Sequence, residues 1–146
     1  MSLPQVSPSR LDASASVAPV RPSITDEEAA ALARTIVNLF RCWQLVDSEA
    51  CTLLGGMSIR AWTRWKEGMI DHPERINNGL RRRMAILMGV HVGLCGLFAE
   101  PEGGYAWVRS PNKTLKGKTP LDIMMQGKIE NLIRIRDWLY AAGQLW

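Results

Sequence analysis

Leu53-Leu54-Gly55-Gly56-Met57-Ser58-Ile59-Arg60-Ala61-Trp62-Thr63-Arg64-Trp65-Lys66-Glu67-Gly68 is punctuated as the end of one short helix, a tight turn and a second short helix. Gly55 and Gly56 accept the left-handed backbone of a sharp helix exit. Ser58 is a natural N-cap for a helix over Ile59–Glu67, and Gly68 ends it. Upstream, Asp47 is expected to cap a helix running to Leu54, with Glu49 in its first turn near the positive end of the helix dipole. Two short helices about a glycine turn are a helix-turn-helix candidate.

The flanking segments also read as helices. Thr25 and Glu28 have capping-box spacing, and Leu32, Ile36, Leu39, Phe40 and Trp43 then form one apolar stripe, predicting a helix from Asp26 to Gln44. After a loop at 71–74, the longest helix is expected over Ile76–Ala99, apolar on two sides and therefore central. Gly89, Gly93 and Gly96 share a side of it. Each costs about 1 kcal/mol of helix propensity relative to Ala, and close approach of another helix is the expected compensation.

Pro101–Gly104 should break the chain, a short helix should span 105–110, and 112–118 should be an exposed basic loop. Thr119, Pro120 and Asp122 supply an N-cap, a first-turn proline and a dipole-compatible acid for a helix to Gln126. Beyond Gly127, a last helix over 128–142 is expected to bury Ile129, Leu132, Ile133, Ile135, Leu139 and Ala142. Residues 1–24, with four prolines among many Ser and Ala, suit a flexible tail.

Composition sets outer bounds. With 146 residues, 47% hydrophobic and 22% charged, the chain suits one compact domain or two small modules sharing a core. The net charge is +4, but it is unevenly placed: residues 58–83 carry seven cations against three acids, residues 105–146 the same, and 84–104 no cation at all. Such blocks are the electrostatic footprint of a phosphate-binding surface. Arg81, Arg82 and Arg83, a charge run at a helix start, are expected to be simply solvated.

The three cysteines, Cys42, Cys51 and Cys95, have no histidine at zinc-ligand spacing, so buried, reduced thiols are expected. No metal and no cofactor is expected. Met84–Phe98 is too short to span a bilayer and there is no secretory start, so the expected location is the cytoplasm, without a membrane partner.

In a DNA-reading unit the second helix buries one side on its scaffold and offers polar groups with the other. Trp62 and Trp65 suit the buried side. Ser58, Arg60, Thr63, Arg64 and Lys66 are then the candidate DNA contacts, because the arginine fork can donate two hydrogen bonds to guanine, worth about 1–3 kcal/mol of discrimination. Gly55 and Gly56 lengthen the turn by about one residue relative to the commonest spacing, which shifts the register of individual contacts.

A second pattern lies downstream: Ala106-Trp107-Val108-Arg109-Ser110-Pro111-Asn112, Leu115-Lys116-Gly117-Lys118-Thr119-Pro120-Leu121-Asp122, Gly127 and Arg136-Asp137-Trp138-Leu139. It resembles the toxin-binding domain of the Xre/MbcA/ParS antitoxins. Leu53–Ser58 with Trp62, Arg64, Trp65 and Gly68 looks like the helix-turn-helix part of the same family, so the resemblance covers roughly 25–146. It implies an all-α fold: an Xre-like helix-turn-helix domain over 25–100, then a small three-helix toxin-binding segment over 101–146. It also implies an antitoxin that blocks a RES-domain, NAD-consuming toxin and represses its own operon by binding operator DNA, as a homodimer. Gly143, Gln144, Leu145 and Trp146 would plug the toxin, with Trp138, Tyr140 and Arg109 at or near the contact. A tryptophan after a glycine-hinged tail either enters a partner or folds back on its own helix, and both remain open.

Two rivals compete. A stand-alone regulator would use the same DNA-facing residues and keep the C-terminal helices for dimerisation; a toxin gene next door would argue against it. An enzyme would need a site such as Cys95 with His91, four residues apart on an apolar helix where packing is the commoner role. No phosphate loop, metal cluster or paired carboxylate supports catalysis, so no catalytic residue is assigned.

Overall fold

The computed structural model describes residues 23–144, which form an all-helical fold of seven α-helices without strands. In chain order these are α1 (Asp26–Cys42), α2 (Asp47–Leu53), α3 (Ile59–Lys66), α4 (Asn78–Leu97), α5 (Pro101–Val108), α6 (Pro120–Met124) and α7 (Ile129–Gly143). Single 3-10 turns lie at Pro73–Arg75 and Lys113–Leu115. The flexible-tail expectation for 1–24 falls almost wholly on residues outside the described range, as do Leu145 and Trp146.

Helix α1 begins where its capping box forms: Thr25 Oγ1 accepts from Glu28 N, and Glu28 Oε1 accepts from Thr25 N. It buries Ala29, Ala33, Ile36, Val37 and Phe40, a spacing that places one stripe inward. Each large aliphatic or aromatic side chain removed from water contributes about 1.5–3 kcal/mol. Helix α4, capped by Asn77 through Leu80 N, buries Met84, Ile86, Leu87, Val90 and Leu94. It packs on α1, α5 and α7, and is the centre of one hydrophobic cluster that continues through Val108, Leu121 and Met124 to Leu132, Ile135 and Leu139.

The α4–α7 contact is the most extensive in the molecule. A Cβ on Gly93 would stand 2.8 Å from Leu139 Cβ, and one on Gly89 would stand 2.8 Å from Arg136 Cδ and 3.1 Å from the Tyr140 hydroxyl. Both glycines therefore do what their spacing promised. Gly96 does not: the space beside it is open.

Several expectations are corrected. Pro101–Gly104 does not break the chain but forms the first turn of α5, with Pro101 at a position whose missing N–H costs nothing. Gly103 and Gly104 are kept there by packing, since a Cβ on either would approach Phe98 or Leu94 to 3.2 Å. Asp47 is not the cap of α2. Val46 holds that position, and Glu49 Oε1 accepts from its N–H. The 112–118 segment is not wholly exposed, because Leu115 is buried.

The arginine run is not simply solvated. Arg81 is buried, and its guanidinium donates to Ile76 O, Ile24 O, Pro73 O and Asp26 Oδ1. Arg83 is half-buried and donates to Gly127 O at 2.6 Å and Leu53 O at 3.4 Å. Arg82 alone remains exposed. The thiols are corrected too: Cys42 and Cys95 are exposed and Cys51 is half-buried, all free. No helix among the described residues is long and apolar enough to cross a membrane.

Gly93→Ala should destabilise the chain by about 1–3 kcal/mol, because overpacking forces α7 off α4. Gly96→Ala should be neutral or stabilising by up to about 1 kcal/mol, since it gains helix propensity in open space. Urea unfolding of the two variants checks the contrast.

Candidate functional site

Helix α3 has two chemically distinct sides. Trp62 and Trp65 are buried, with the Trp62 ring 5.8 Å from Phe40 and the Phe40 ring 5.9 Å from Trp43. The Trp62 indole N–H donates to Asp47 Oδ1 at 3.0 Å, which explains why that carboxylate does not cap α2. Lys66 Nζ donates to the same oxygen at 2.8 Å. The hydrogen bonds from Lys66 and Trp62 hold the Asp47 carboxyl below its ordinary pKa.

On the outer side, Ser58 is exposed and its hydroxyl accepts from Ala61 N, so it caps α3. Thr63 is half-buried, while Arg60 is exposed and forms no ion pair among the described residues. Arg64 pairs with Asp71 at 2.7 Å, and Lys66 with Asp47. Both pairs are well exposed, and such pairs contribute about 0–1 kcal/mol, so a phosphate could replace either carboxylate at little cost. The glycine turn behind α3 has φ of +80° at Gly55 and +90° at Gly56, the left-handed region both were expected to occupy. Arg83 lies against Gly55, where a Cβ would stand 2.9 Å from its Nε. Arg82 is exposed on α4, as expected of a solvated run, whereas a run of three arginines gave no sign that Arg81 and Arg83 face inward.

The downstream surface is built on α5 and α7. Trp107 and Trp138 stack at 5.4 Å with an interplanar angle of 22°, and Phe98 tilts against Trp107 at 6.4 Å. Trp138 is thus half-buried in an aromatic row, and Tyr140, 41% exposed, lies along the glycine side of α4. Gly143 is half-buried and Gln144 exposed. The other two residues of the expected plug, Leu145 and Trp146, lie outside the described residues.

Arg109 turns toward its own chain. It donates from Nε to Trp43 O at 3.0 Å, and from Nη2 to Gln44 O and Glu49 Oε1, both at 2.8 Å. Gln44 has a φ of +59°, uncommon for a residue with a Cβ. Arg109 therefore fastens the strained α1–α2 link to the end of α5. Such a long-range tie gives no sequence signal, because two of its partners are backbone carbonyls 65 or more residues away.

Cys51 and Cys95 offer little for nucleophilic chemistry. Burial and the nearby Asp47 charge push the Cys51 thiol up, which disfavours the thiolate. His91 Nε2 stands 3.6 Å from Cys95 Sγ, but its Nδ1 is buried without a hydrogen-bond partner. A catalytic base is normally oriented by such a partner.

The second pattern in the sequence coincides with a likeness to a known domain. Residues 96–142 match the antitoxin Xre/MbcA/ParS C-terminal toxin-binding domain. The match begins in the last turn of α4 and takes in α5, the basic loop, α6 and nearly all of α7, so Arg109, Trp138 and Tyr140 fall inside it. Residues 53–68 and 143–146 fall outside. The chain is also 27% identical over 126 residues to the uncharacterized protein y4oB of Sinorhizobium fredii (strain NBRC 101917 / NGR234), covering 84% of this chain and 95% of that protein.

Asp47→Asn should lower the unfolding midpoint near neutral pH by weakening the ties to Lys66 and Trp62. Because the folded carboxyl has the lowered pKa, its contribution is complete above the ordinary carboxylate range and is lost as pH falls through the lowered value. The difference between Asn variant and parent should therefore close in strong acid, as thermal melts across a pH series would record.

Proposed function

We propose that this chain is the antitoxin of a type II toxin-antitoxin pair, which blocks a RES-domain, NAD-consuming toxin and represses its own operon. The observation that carries the reading is the toxin-binding-domain match over 96–142. In support, that segment offers an exposed tyrosine and the half-exposed Trp138 ring on one helix. Aromatic side chains of this kind are frequent hot spots because they remove much area from water at small entropic cost.

DNA binding is the second half of the proposal. Helices α2 and α3 around the left-handed glycine turn act as a helix-turn-helix, with Ser58, Arg60, Thr63, Arg64 and Lys66 towards the operator. Arg60 reads a base edge or a phosphate directly, whereas Arg64 and Lys66 exchange Asp71 and Asp47 for phosphate. The protein acts as a homodimer, since such units usually read half-sites about 34 Å apart. The labour is divided: 25–100 reads DNA, and 101–146 engages the toxin through Trp138, Tyr140 and the plug Gly143–Trp146, with Arg109 holding the end of α5 near the contact.

Arg60→Ala or Arg64→Ala should weaken operator binding, by about 1–3 kcal/mol where a base contact is lost, and leave neutralisation of the adjacent gene's product intact. Gel-shift titration beside a growth-rescue assay measures both. Loss of rescue with operator binding unchanged would reverse the assignment. Deleting 143–146 should abolish rescue without changing the melting temperature, and full protection by the shortened chain would rule out the plug. Failure of the neighbouring product to bind would leave the stand-alone regulator in place of the antitoxin.

A further inference from the structure

Between Glu102 and Asp122 the chain carries no acid and four cations, of which Arg109 is spent on Glu49 and two backbone carbonyls. The other three, Lys113, Lys116 and Lys118, are exposed and form no ion pair among the described residues. They sit on a loop whose backbone is fixed from within. Asn112 Oδ1 accepts from Thr114 N, its carbonyl from Leu115 N and Gly117 N, and its own N–H donates to Lys118 O. Leu115 anchors the loop in the core at 6% exposure. Lys116 and Gly117 both hold left-handed backbone, with φ of +60° and +85°. A lysine kept in that conformation is uncommon, and here it lets three ammonium groups project from six consecutive residues of an ordered segment.

From this layout the geometry points to the 113–118 loop as an electrostatic docking edge for a carboxylate-rich surface on the partner protein bound by 96–142. The inference rests on the toxin-binding reading above and adds the charge of the partner's facing surface. A protein is favoured over DNA by position. The loop joins α5 to α6, whose main packing partners are α4, α7 and each other, whereas α3 packs on α1 and α2. The three lysines also fall inside the toxin-binding match, and the candidate DNA contacts fall outside it. Mobile, strongly hydrated ammonium groups at a rim act mainly on encounter: they raise the association rate in a salt-dependent way more than they slow dissociation.

The test uses the full chain, the purified product of the adjacent reading frame and an operator fragment. Three proteins are compared: parent, the triple variant Lys113→Glu/Lys116→Glu/Lys118→Glu, and the neutral Lys113→Gln/Lys116→Gln/Lys118→Gln. Neither variant should change the melting temperature, since no lysine side chain contributes a hydrogen bond to the loop. At low salt the association rate should fall by about ten-fold or more for the Glu variant and less for the Gln variant. The three rates should converge towards about 1 M salt, where the screening length is about 3 Å, and operator affinity should stay constant throughout. Operator affinity that drops while association with the partner is unchanged would assign the loop to DNA and overturn the proposal. Unchanged behaviour in both assays would make it a solvated loop, and overturn it equally. A parent chain that fails to bind the partner at all is a different result, and would fell the antitoxin reading itself.

Discussion

The close approach of α4 and α7 at Gly89 and Gly93 is the constraint on which the rest of the molecule is arranged. A side chain at Gly93 would collide with Leu139 at its Cβ, where no rotamer change can give way. With hydrogen there instead, the two helices come near enough for Leu132, Ile135 and Leu139 to join the cluster around Met84, Leu87 and Val90. The cost in helix propensity, about 1 kcal/mol per glycine, is smaller than the burial it permits. The direction of α7 follows from this contact, and so do the places of Trp138 on Trp107 and of Tyr140 along α4. The surface inside the toxin-binding match is therefore held by the packing of α7 on α4.

Three arginines then tie the segments that this core leaves loose. Arg81 gathers Ile24, Asp26, Pro73 and Ile76 around the start of α4, Arg83 joins the turn after α2 to the turn before α7, and Arg109 holds the α1–α2 link. The guanidinium suits this task because its planar fork keeps its charge and can satisfy several carbonyls at once. Each tie replaces water around backbone groups that would otherwise be left unpaired, an omission costing about 1–3 kcal/mol apiece. Arg83 and Arg109 also run between the α2 region and the C-terminal segment, so the candidate DNA unit and the toxin-binding match share fixed points as well as a core.

Inward use of some cations sharpens the meaning of those left outside. Arg60 on α3 and Arg82 on α4 face solvent, and Lys113, Lys116 and Lys118 face it on the α5–α6 loop. Each basic block in the sequence thus contributes exposed cations, and these two sets lie on separate elements of the fold. Their chemistry differs, with arginine forks on α3 and α4 and lysine ammonium groups on the loop. Bidentate recognition suits the first and diffuse attraction the second.

Local signals determined a large share of this by themselves. Thr25 with Glu28, Ser58, and Thr119 with Asp122 cap their helices as read, because a cap is a contact between residues three apart and needs no tertiary information. The left-handed turn at Gly55 and Gly56 was legible for the same reason, and Gly68, read as a helix end, also holds left-handed backbone. So was the inward side of α3, where Trp62 and Trp65 share a face at helical spacing. Tertiary structure decided everything that depends on a distant partner. Phe98 and Leu94 close over the glycines of the helical Pro101–Gly104 turn, and the Asp47 carboxylate, one residue inside α2, accepts from an indole fifteen residues away. Which two of three adjacent arginines turn inward, and that Arg109 ties its own chain, was settled by carbonyls brought near only by folding. Spacing along a helix fixes which residues share a face; it cannot say what that face will meet.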